Sequence, residues 1–499
     1  MVMHKYQTKQ KQGWKEMLEN KLIYPQIIQG GMGVGISSWK LARSVAVYGQ
    51  MGVVSGTALA LTFARRLMDG DKGGHLLDAL NHFPFRRIAN RIKEKYLDFV
   101  DLHKKNKYRN VQMPSLEQTR DLTELTVVAN YAEVFMAKKG HKGLVGINFL
   151  EKIQIPTLPS IYGALLAGVD YILMGAGIPA RMPEAITKLS LNQDYDIPIK
   201  IAEETSDEAV TSHFSPEAFA DGEELPELKR PKFLAIVSSA TLATHLNRSS
   251  FGSPDGFVVE APIAGGHNAP PRGKTTYNEL GEPIYGKRDE VDFAAIAKIG
   301  LPFWLAGGYG SKEQLDFALS VGATGIQVGT AFAFCDESGF ESSLKARVIQ
   351  AIEIGNVHVK TDPLASPTGF PFKVVNLEET IGDTKVGESR KRICDLGYLR
   401  EPYRKENGKI GYRCPSEPVA DYIAKGGKLE DTVGRRCLCN GLVSSMGLEQ
   451  KRKDGTIEMP LVTAGDDLKN ILNFIKPGNK SYNAFDVLTN LLGYKPKLI

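Results

Sequence analysis

Long uninterrupted apolar runs are missing from this sequence. The longest uncharged stretch, Ser44 to Ala64, is broken by Gly49, Gln50, Gly52, Ser55, Gly56 and Thr57, so a helix end, a turn and a buried strand explain it better than a membrane span. Charge of one sign is missing as well. The 62 basic and 57 acidic residues leave a formal net charge of +5, too small for a nucleic-acid footprint on a chain of this size. The basic runs Arg86 to Lys95 and Lys104 to Arg109 read as solvated helix faces. Cysteine is scarce and odd in number (Cys335, Cys394, Cys414, Cys437 and Cys439), which argues against a secreted disulfide framework and for a reducing cytoplasm. The segment Met1 to Lys21 is polar and basic and lacks the apolar centre of a signal peptide. No short period repeats and no low-complexity tract appears.

What is present is a recurrence. Short apolar runs, β-branched or glycine-rich, are each followed by a helix-like stretch that closes on a glycine turn. Eight such runs are candidate strands: Pro25 to Gln29, Gly52 to Gly56, Leu144 to Phe149, Tyr171 to Gly175, Phe233 to Val237, Gly256 to Glu260, Pro302 to Ala306 and Gly325 to Gly329. Continuous apolar strands alternating with helices predict parallel pairing with both sheet faces covered. An open doubly wound sheet would give similar strands, but no Gly-x-Gly-x-x-Gly opens the first unit in the dinucleotide manner. Glycine-rich turns instead follow several strands, as expected where function gathers at all the strand ends of a closed barrel. The predicted class is therefore α/β, a (β/α)8 TIM barrel over residues 20–375. A mainly helical insertion (63–131) follows the second strand, a shorter acidic one (203–231) follows an extra strand-like stretch at Ile197 to Ile201, and both are expected near the barrel mouth. After about Val375 the alternation stops, and residues 376–499 read as an extension packed on the barrel, with a final helix-like stretch near Asp467 to Ile475.

Three strand ends carry chemistry. The first reads Gln29-Gly30-Gly31-Met32-Gly33-Val34-Gly35, a density of glycine that lets backbone approach a flat or anionic ligand. The seventh and eighth read Leu305-Ala306-Gly307-Gly308-Tyr309-Gly310 and Val328-Gly329-Thr330-Ala331-Phe332, which together have the form of a barrel phosphate site built from backbone N–H groups. Beyond the sixth strand, Glu260-Ala261-Pro262-Ile263-Ala264-Gly265-Gly266-His267-Asn268 places an imidazole beside two glycines that leave room for a ligand. With an ordinary pKa near ~6.5, His267 can exchange protons at neutral pH.

As a set these motifs resemble the FMN-dependent nitronate monooxygenases, formerly called 2-nitropropane dioxygenases. The first-strand glycines, Ala264-Gly265-Gly266-His267, Leu305-Ala306-Gly307-Gly308 and Gln327-Val328-Gly329-Thr330 follow the family's order. Asn148, Gly175-Ala176-Gly177, Ser238-Ser239 and Ser366-Pro367-Thr368-Gly369 extend the similarity over roughly residues 20 to 375. The resemblance implies FMN across the barrel mouth, its phosphate held by Gly307, Gly308, Gly329 and Thr330, and its ring lined by Gly31, Met32 and Asn148. It places Gly175, Gly265 and Gly266 in the cofactor site and His267 at the family's catalytic histidine, with no metal required. A nitronate and O2 are the implied reactants, in a chain free of nucleic-acid and membrane partners and compatible with a homo-oligomer.

Departures from the pattern bear on substrate. The turn Asn268-Ala269-Pro270-Pro271-Arg272-Gly273, the long insertion and the segment Arg435-Arg436-Cys437-Leu438-Cys439-Asn440-Gly441 are unlike the compact members. The same family holds NAD(P)H-dependent flavin enoyl-acyl-carrier-protein reductases, which is the alternative reading. A barrel that binds a phosphorylated metabolite without flavin is a further class. Inosine-monophosphate-dehydrogenase-like chemistry needs a nucleophilic cysteine on a barrel loop, whereas Cys335 lies after the phosphate strand. The four cysteines of the extension lack the Cys-x2-Cys knuckles of a zinc site and read as structural.

Overall fold

In the computed structural model, which describes residues 24–97, 108–203, 209–452 and 454–499, eight strands close into one parallel barrel. They are Ile27–Gln29, Met51–Ser55, Val145–Leu150, Tyr171–Gly175, Lys232–Val237, Gly256–Glu260, Phe303–Ala306 and Gly325–Val328. Each pairs with its neighbour in sequence, and the first closes on the last through Ile28 opposite Gln327. These are the eight runs expected from the sequence, with ends shifted by a residue or two. Met1 to Lys21 and most of the basic run Lys104 to Arg109 lie outside the described residues.

The strands hold because both of their faces are covered. Inside the barrel, Ile28, Met51, Val53, Tyr171, Leu173, Leu234, Val258 and Trp304 fill the axis, and the Trp304 indole N–H donates to the Pro25 carbonyl at 2.8 Å. Outside, helices press on the strands closely enough to constrain the sequence. A Cβ at Gly52 would sit 1.8 Å from the Ala42 carbonyl oxygen of helix Trp39–Ala46, so that strand position requires glycine.

The stretch after the second strand is helical, as expected: Leu59–Met68, His75–His82, Arg86–Ile92 and the long Arg120–Lys138. The last begins with Thr119 accepting the Leu122 N–H, a normal N-cap. It packs on helix Thr157–Leu166 and buries most of its residues, so it also serves as the crossover helix into the third strand. The strand-like stretch at 197–201 contributes to strand Tyr195–Pro198, which pairs antiparallel with Thr211–Phe214 outside the barrel.

After the barrel, strand Phe372–Asn376 pairs with His358–Asp362, and within the extension a hairpin of Glu401–Arg404 with Ile410–Arg413 follows. Helix Leu438–Ser444 crosses the mouth, and residues 463–467 descend beside the sixth and eighth strand ends. The stretch near 467–475 is a 3₁₀ helix, Leu468–Phe474, and the α-helix of this region comes later at Ala484–Leu492. That helix has an Asn483/Asp486 capping box and ends on Gly493 at φ 73°. It packs against helix Trp39–Ala46, and the Ile499 N–H donates to the Val47 carbonyl. No helix among the described residues is long and apolar enough to cross a membrane.

Candidate active site

A cavity of about 270 Å³ opens at the C-terminal ends of the strands. Its lining includes His267 and all ten residues expected to hold a cofactor: Gly31, Met32, Asn148, Gly175, Gly265, Gly266, Gly307, Gly308, Gly329 and Thr330. The topology explains the convergence, since parallel strands in a closed barrel present all their C-terminal loops to one rim.

The loop after the first strand forms one wall. A Cβ on Gly31 would lie 2.2 Å from Asn148 Cβ, so glycine lets the loop rest directly on the third strand end. Asn148 Nδ2 donates to the Gly31 carbonyl at 3.1 Å, while its Oδ1 is buried with no partner. Two buried residues absent from the sequence-based site fix this loop. Ser37 Oγ accepts the Met32 N–H at 2.8 Å and donates to the Gly30 carbonyl at 2.7 Å. Gln29 Nε2 donates to Ser37 Oγ at 2.8 Å, and its Oε1 accepts the Val53 N–H at 3.1 Å. Gln29 was visible as a polar residue in an otherwise apolar strand, whereas nothing local marked Ser37.

The opposite end is backbone-rich. Gly307 and Gly308 have φ of 84° and 79°, a consecutive left-handed pair that turns the chain where side chains would collide: a Cβ on Gly308 would meet Ile263 Cδ1 at 2.2 Å. Gly329 and Thr330 start the short helix Thr330–Ala333 beside it. The extension completes this end. Thr330 Oγ1 accepts the Gly465 N–H at 2.9 Å, and Thr463 Oγ1 accepts the Gly266 N–H at 3.0 Å. Asp467 also lines the cavity, its carboxyl held above the usual range by burial.

His267 stands on the wall between these ends. Its Nε2 shares a 2.7 Å hydrogen bond with Ser366 Oγ, which pairs with Thr368 Oγ1 at 2.8 Å. The ring meets Phe372 edge-on at 4.8 Å between centroids. It opens to the cavity yet is enclosed by protein, and burial, followed by the field of Lys152, pushes its pKa down to about 4. The imidazole is therefore neutral at pH 7. Glu260, at the end of the sixth strand, also faces the cavity, and burial pushes its carboxyl up to about 7. The sequence displayed this residue within the His267 motif without giving it a role.

The roof comes from the extension. Tyr398, Leu399, Leu438, Cys439, Leu442 and Val443 line the cavity opposite the strand ends. None was a site residue by sequence, because an apolar roof carries no chemical signature. A wider groove of about 960 Å³ lies beyond the wall formed by Ile263 and Tyr309. Among the described residues, no three His, Cys, Asp or Glu side chains are set to hold a metal ion.

Comparison with known proteins bears most directly on the second half of the barrel. Residues 184–362 match the family model described as nitronate monooxygenase; this segment holds strands five to eight, His267 and the glycine loops after strands seven and eight. A probable nitronate monooxygenase of Bacillus subtilis (strain 168) is 32% identical over 127 residues, 26% of this chain and 35% of the relative. Another from Staphylococcus haemolyticus (strain JCSC1435) is 27% identical over 134 residues, 27% of this chain and 36% of the relative. A 5-hydroxy-7a-methyl-1-oxo-octahydro-1H-indene-4-carboxyl-CoA dehydrogenase of Mycobacterium tuberculosis (strain ATCC 25618 / H37Rv) is 26% identical over 144 residues, 29% of this chain and 36% of the relative. The matched segments thus span about a third of the length of these curated relatives. Among solved structures, FabK from Thermotoga maritima aligns with a TM-score of 0.40 and 16% identity, covering 74% of this chain and 77% of that one. The enoyl reductase domain of MlnA from Bacillus amyloliquefaciens aligns with a TM-score of 0.46 and 12% identity, covering 95% and 96%. Over residues 184–362 the chain is similar to the nitronate monooxygenase family.

Proposed function

We propose that this relative of the nitronate monooxygenases is an FMN-dependent oxidoreductase that oxidises alkyl nitronates with O2. The observation that carries the reading is a neutral, enclosed His267, held by Ser366 on the same cavity as two glycine-built loops. The residues present fit a flavin. Asn148 Oδ1 and Gln327 Oε1 are buried in the cavity lining with no hydrogen-bond partner, a cost that a bound ligand with its own donors would offset. The glycine loops offer close backbone approach for a planar ring at one end and N–H groups for a phosphate at the other. Gly307, Gly308, Gly329 and Thr330 would hold the phosphate; Gly31, Met32 and Asn148 would line the ring, with Gly175, Gly265 and Gly266 around it.

FMN, when bound, supplies electron transfer from substrate to O2. The chain's own residues supply position and proton control. Ser366 and Thr368 fix the His267 ring, so the imidazole meets the substrate in one orientation. Being neutral, it can stand beside an already anionic nitronate as a hydrogen-bonding group without first losing a proton. The positive field of Lys152 reaches the same ring and favours an anion there. The apolar roof keeps water from the reacting atoms.

A second reading, reduction of an enoyl thioester with NAD(P)H, is favoured by that same roof, since Leu399, Leu438, Leu442 and Val443 form a surface suited to an acyl chain. The purified chain with bound flavin is mixed aerobically with ethylnitronate or propionate 3-nitronate, and anaerobically with NAD(P)H. Oxygen uptake with either nitronate and no rapid flavin bleaching by NAD(P)H is the expected result. Rapid bleaching without nitronate-dependent oxygen uptake overturns the first reading in favour of the second.

A further inference from the structure

Four of the five cysteines lie in the extension, and the fold brings all four to one small cavity. Cys394, Cys414, Cys437 and Cys439 line it together with Leu399 and Arg400. Sequence spacing alone does not predict this, because Cys394 and Cys414 are separated by the whole hairpin of Glu401–Arg404 and Ile410–Arg413. All four are free thiols. They are not equivalent, however, and the difference singles out one pair.

Cys394 and Cys414 are neighbours on this cavity, and each shifts the titration of the other. Cys394 is partly exposed, whereas Cys414 is buried. The Cys414 side chain, followed by the guanidinium of Arg400 and the Gly397 backbone, lowers the Cys394 thiol below its ordinary range. Cys414 is pushed up by Cys394 and by burial, and Cys437 and Cys439 are pushed up chiefly by burial. An accessible thiol favouring its thiolate, beside a buried thiol that keeps its proton, is the arrangement of an attacking and a resolving cysteine. The small shared cavity leaves the two sulfurs little distance to close.

We propose that Cys394 and Cys414 form a redox-active dithiol that peroxide converts reversibly to a disulfide, stapling the roof of the active-site cavity. The Cys394 thiolate attacks the O–O bond of hydrogen peroxide; the S–O bond forms, the O–O bond breaks, and hydroxide leaves to take up a proton. The Cys414 sulfur then displaces the hydroxyl from the Cys394 sulfenic acid, and its proton leaves with that hydroxyl as a second water. Overall, two thiols and one peroxide give one disulfide and two waters, and an external dithiol reverses the change. The closed loop contains residues 395–413, which carry Tyr398 and Leu399 of the cavity lining. The same segment is anchored elsewhere by Arg400 Nη2 donating to the Pro114 carbonyl at 2.9 Å. The disulfide therefore limits how far the roof can lift. None of this depends on the reaction proposed for the cavity.

The full chain is treated with stoichiometric hydrogen peroxide, alkylated under denaturing conditions and analysed by intact and peptide mass. The expected product is lighter by two hydrogens before alkylation, has lost two alkylatable thiols, contains a cross-linked Cys394/Cys414 peptide pair and reverts with dithiothreitol. Amide hydrogen exchange across 395–413 slows on oxidation and recovers on reduction. In Cys414→Ser, Cys394 instead accumulates as a dimedone-reactive sulfenic acid. Because the wild-type mapping stands alone, poor folding of the variant leaves the test intact. Five alkylatable thiols after treatment, a disulfide through Cys437 or Cys439, or stoichiometric zinc holding the four thiols unreactive would each overturn the proposal.

Discussion

The two sides of the cavity are built from different material. Below the ligand space, barrel loops present backbone and glycine, with positions enforced by contacts as tight as Gly31 on Asn148. Above it, the extension presents whole apolar side chains from residues far apart in the chain, from Tyr398 to Val443. Backbone N–H groups and fixed polar atoms suit a cofactor common to many reactions, while a surface of leucines suits discrimination by size and shape. On the proposed function, cofactor and substrate are addressed by separable parts, so a change on one side should leave the other intact.

The largest effect falls on the wall that carries the imidazole. His267→Ala should lower kcat/KM by about 10²–10⁴, the range expected for loss of a positioned proton-transfer group, with flavin content unchanged. Flavin loss alongside activity would show that His267 holds the cofactor instead. Next in size is Gly31→Ala. Its Cβ falls 2.2 Å from Asn148 Cβ, and overpacking of this kind costs about 1–3 kcal/mol. FMN affinity should fall by roughly five- to 150-fold, since 1.4 kcal/mol is a factor of ten. An unchanged titration of the apoprotein with FMN would remove Gly31 from the ring site.

Glu260 gives a pH-dependent test. Its carboxyl is pushed up to about 7 from 4.5 by burial. Below pH 4.5 both folded and unfolded states hold the proton and no cost arises. Between pH 4.5 and 7 the unfolded state loses the proton first, so stability falls as pH rises, by roughly 2–3 kcal/mol in total once solvent in the cavity is allowed for. Glu260→Gln should therefore gain stability relative to the wild type from pH 4.5 to 7, measured as the difference in Tm across that range. His267 acts in the opposite direction: pushed down to about 4, it loses stability as pH falls from 6.5 to 4. A Tm difference between Glu260→Gln and wild type that is flat with pH would mean the carboxyl is solvated.

How much of this was readable in the sequence also divides along the same line. All eight barrel strands were visible because parallel strands covered on both faces leave continuous apolar runs such as Phe233 to Val237. The glycine loops and His267 were visible because their chemistry needs particular residues at short, fixed spacing, and the cavity gathers them. Ser37 was not visible, since its two hydrogen bonds to Met32 and Gly30 depend on a loop folding back across several residues. Nor was the roof: Leu442 differs from any other helical leucine by what lies across from it, and that is decided by contacts between residues far apart in sequence. The gathering of Cys394 and Cys414 on one small cavity was hidden for the same reason, as it depends on the fold of the intervening hairpin.

The smallest predicted effect separates the two readings of function. Leu442 lines the cavity from the roof and has no polar contact to lose, so Leu442→Ala removes apolar surface and little else. A small nitronate sitting between His267 and the ring site gains little from that surface, and its KM should change by less than about twofold, well under the 1.4 kcal/mol of a tenfold shift. An acyl chain lying along the leucines loses the burial of several methyl groups at about 0.8 kcal/mol each, so KM for an enoyl thioester should rise about tenfold with kcat nearly constant. Flavin binding should be untouched in either case, because the barrel loops that would hold it are on the other side. If Leu442→Ala instead sheds flavin, the roof holds the cofactor in place, and the division of labour between barrel and extension fails.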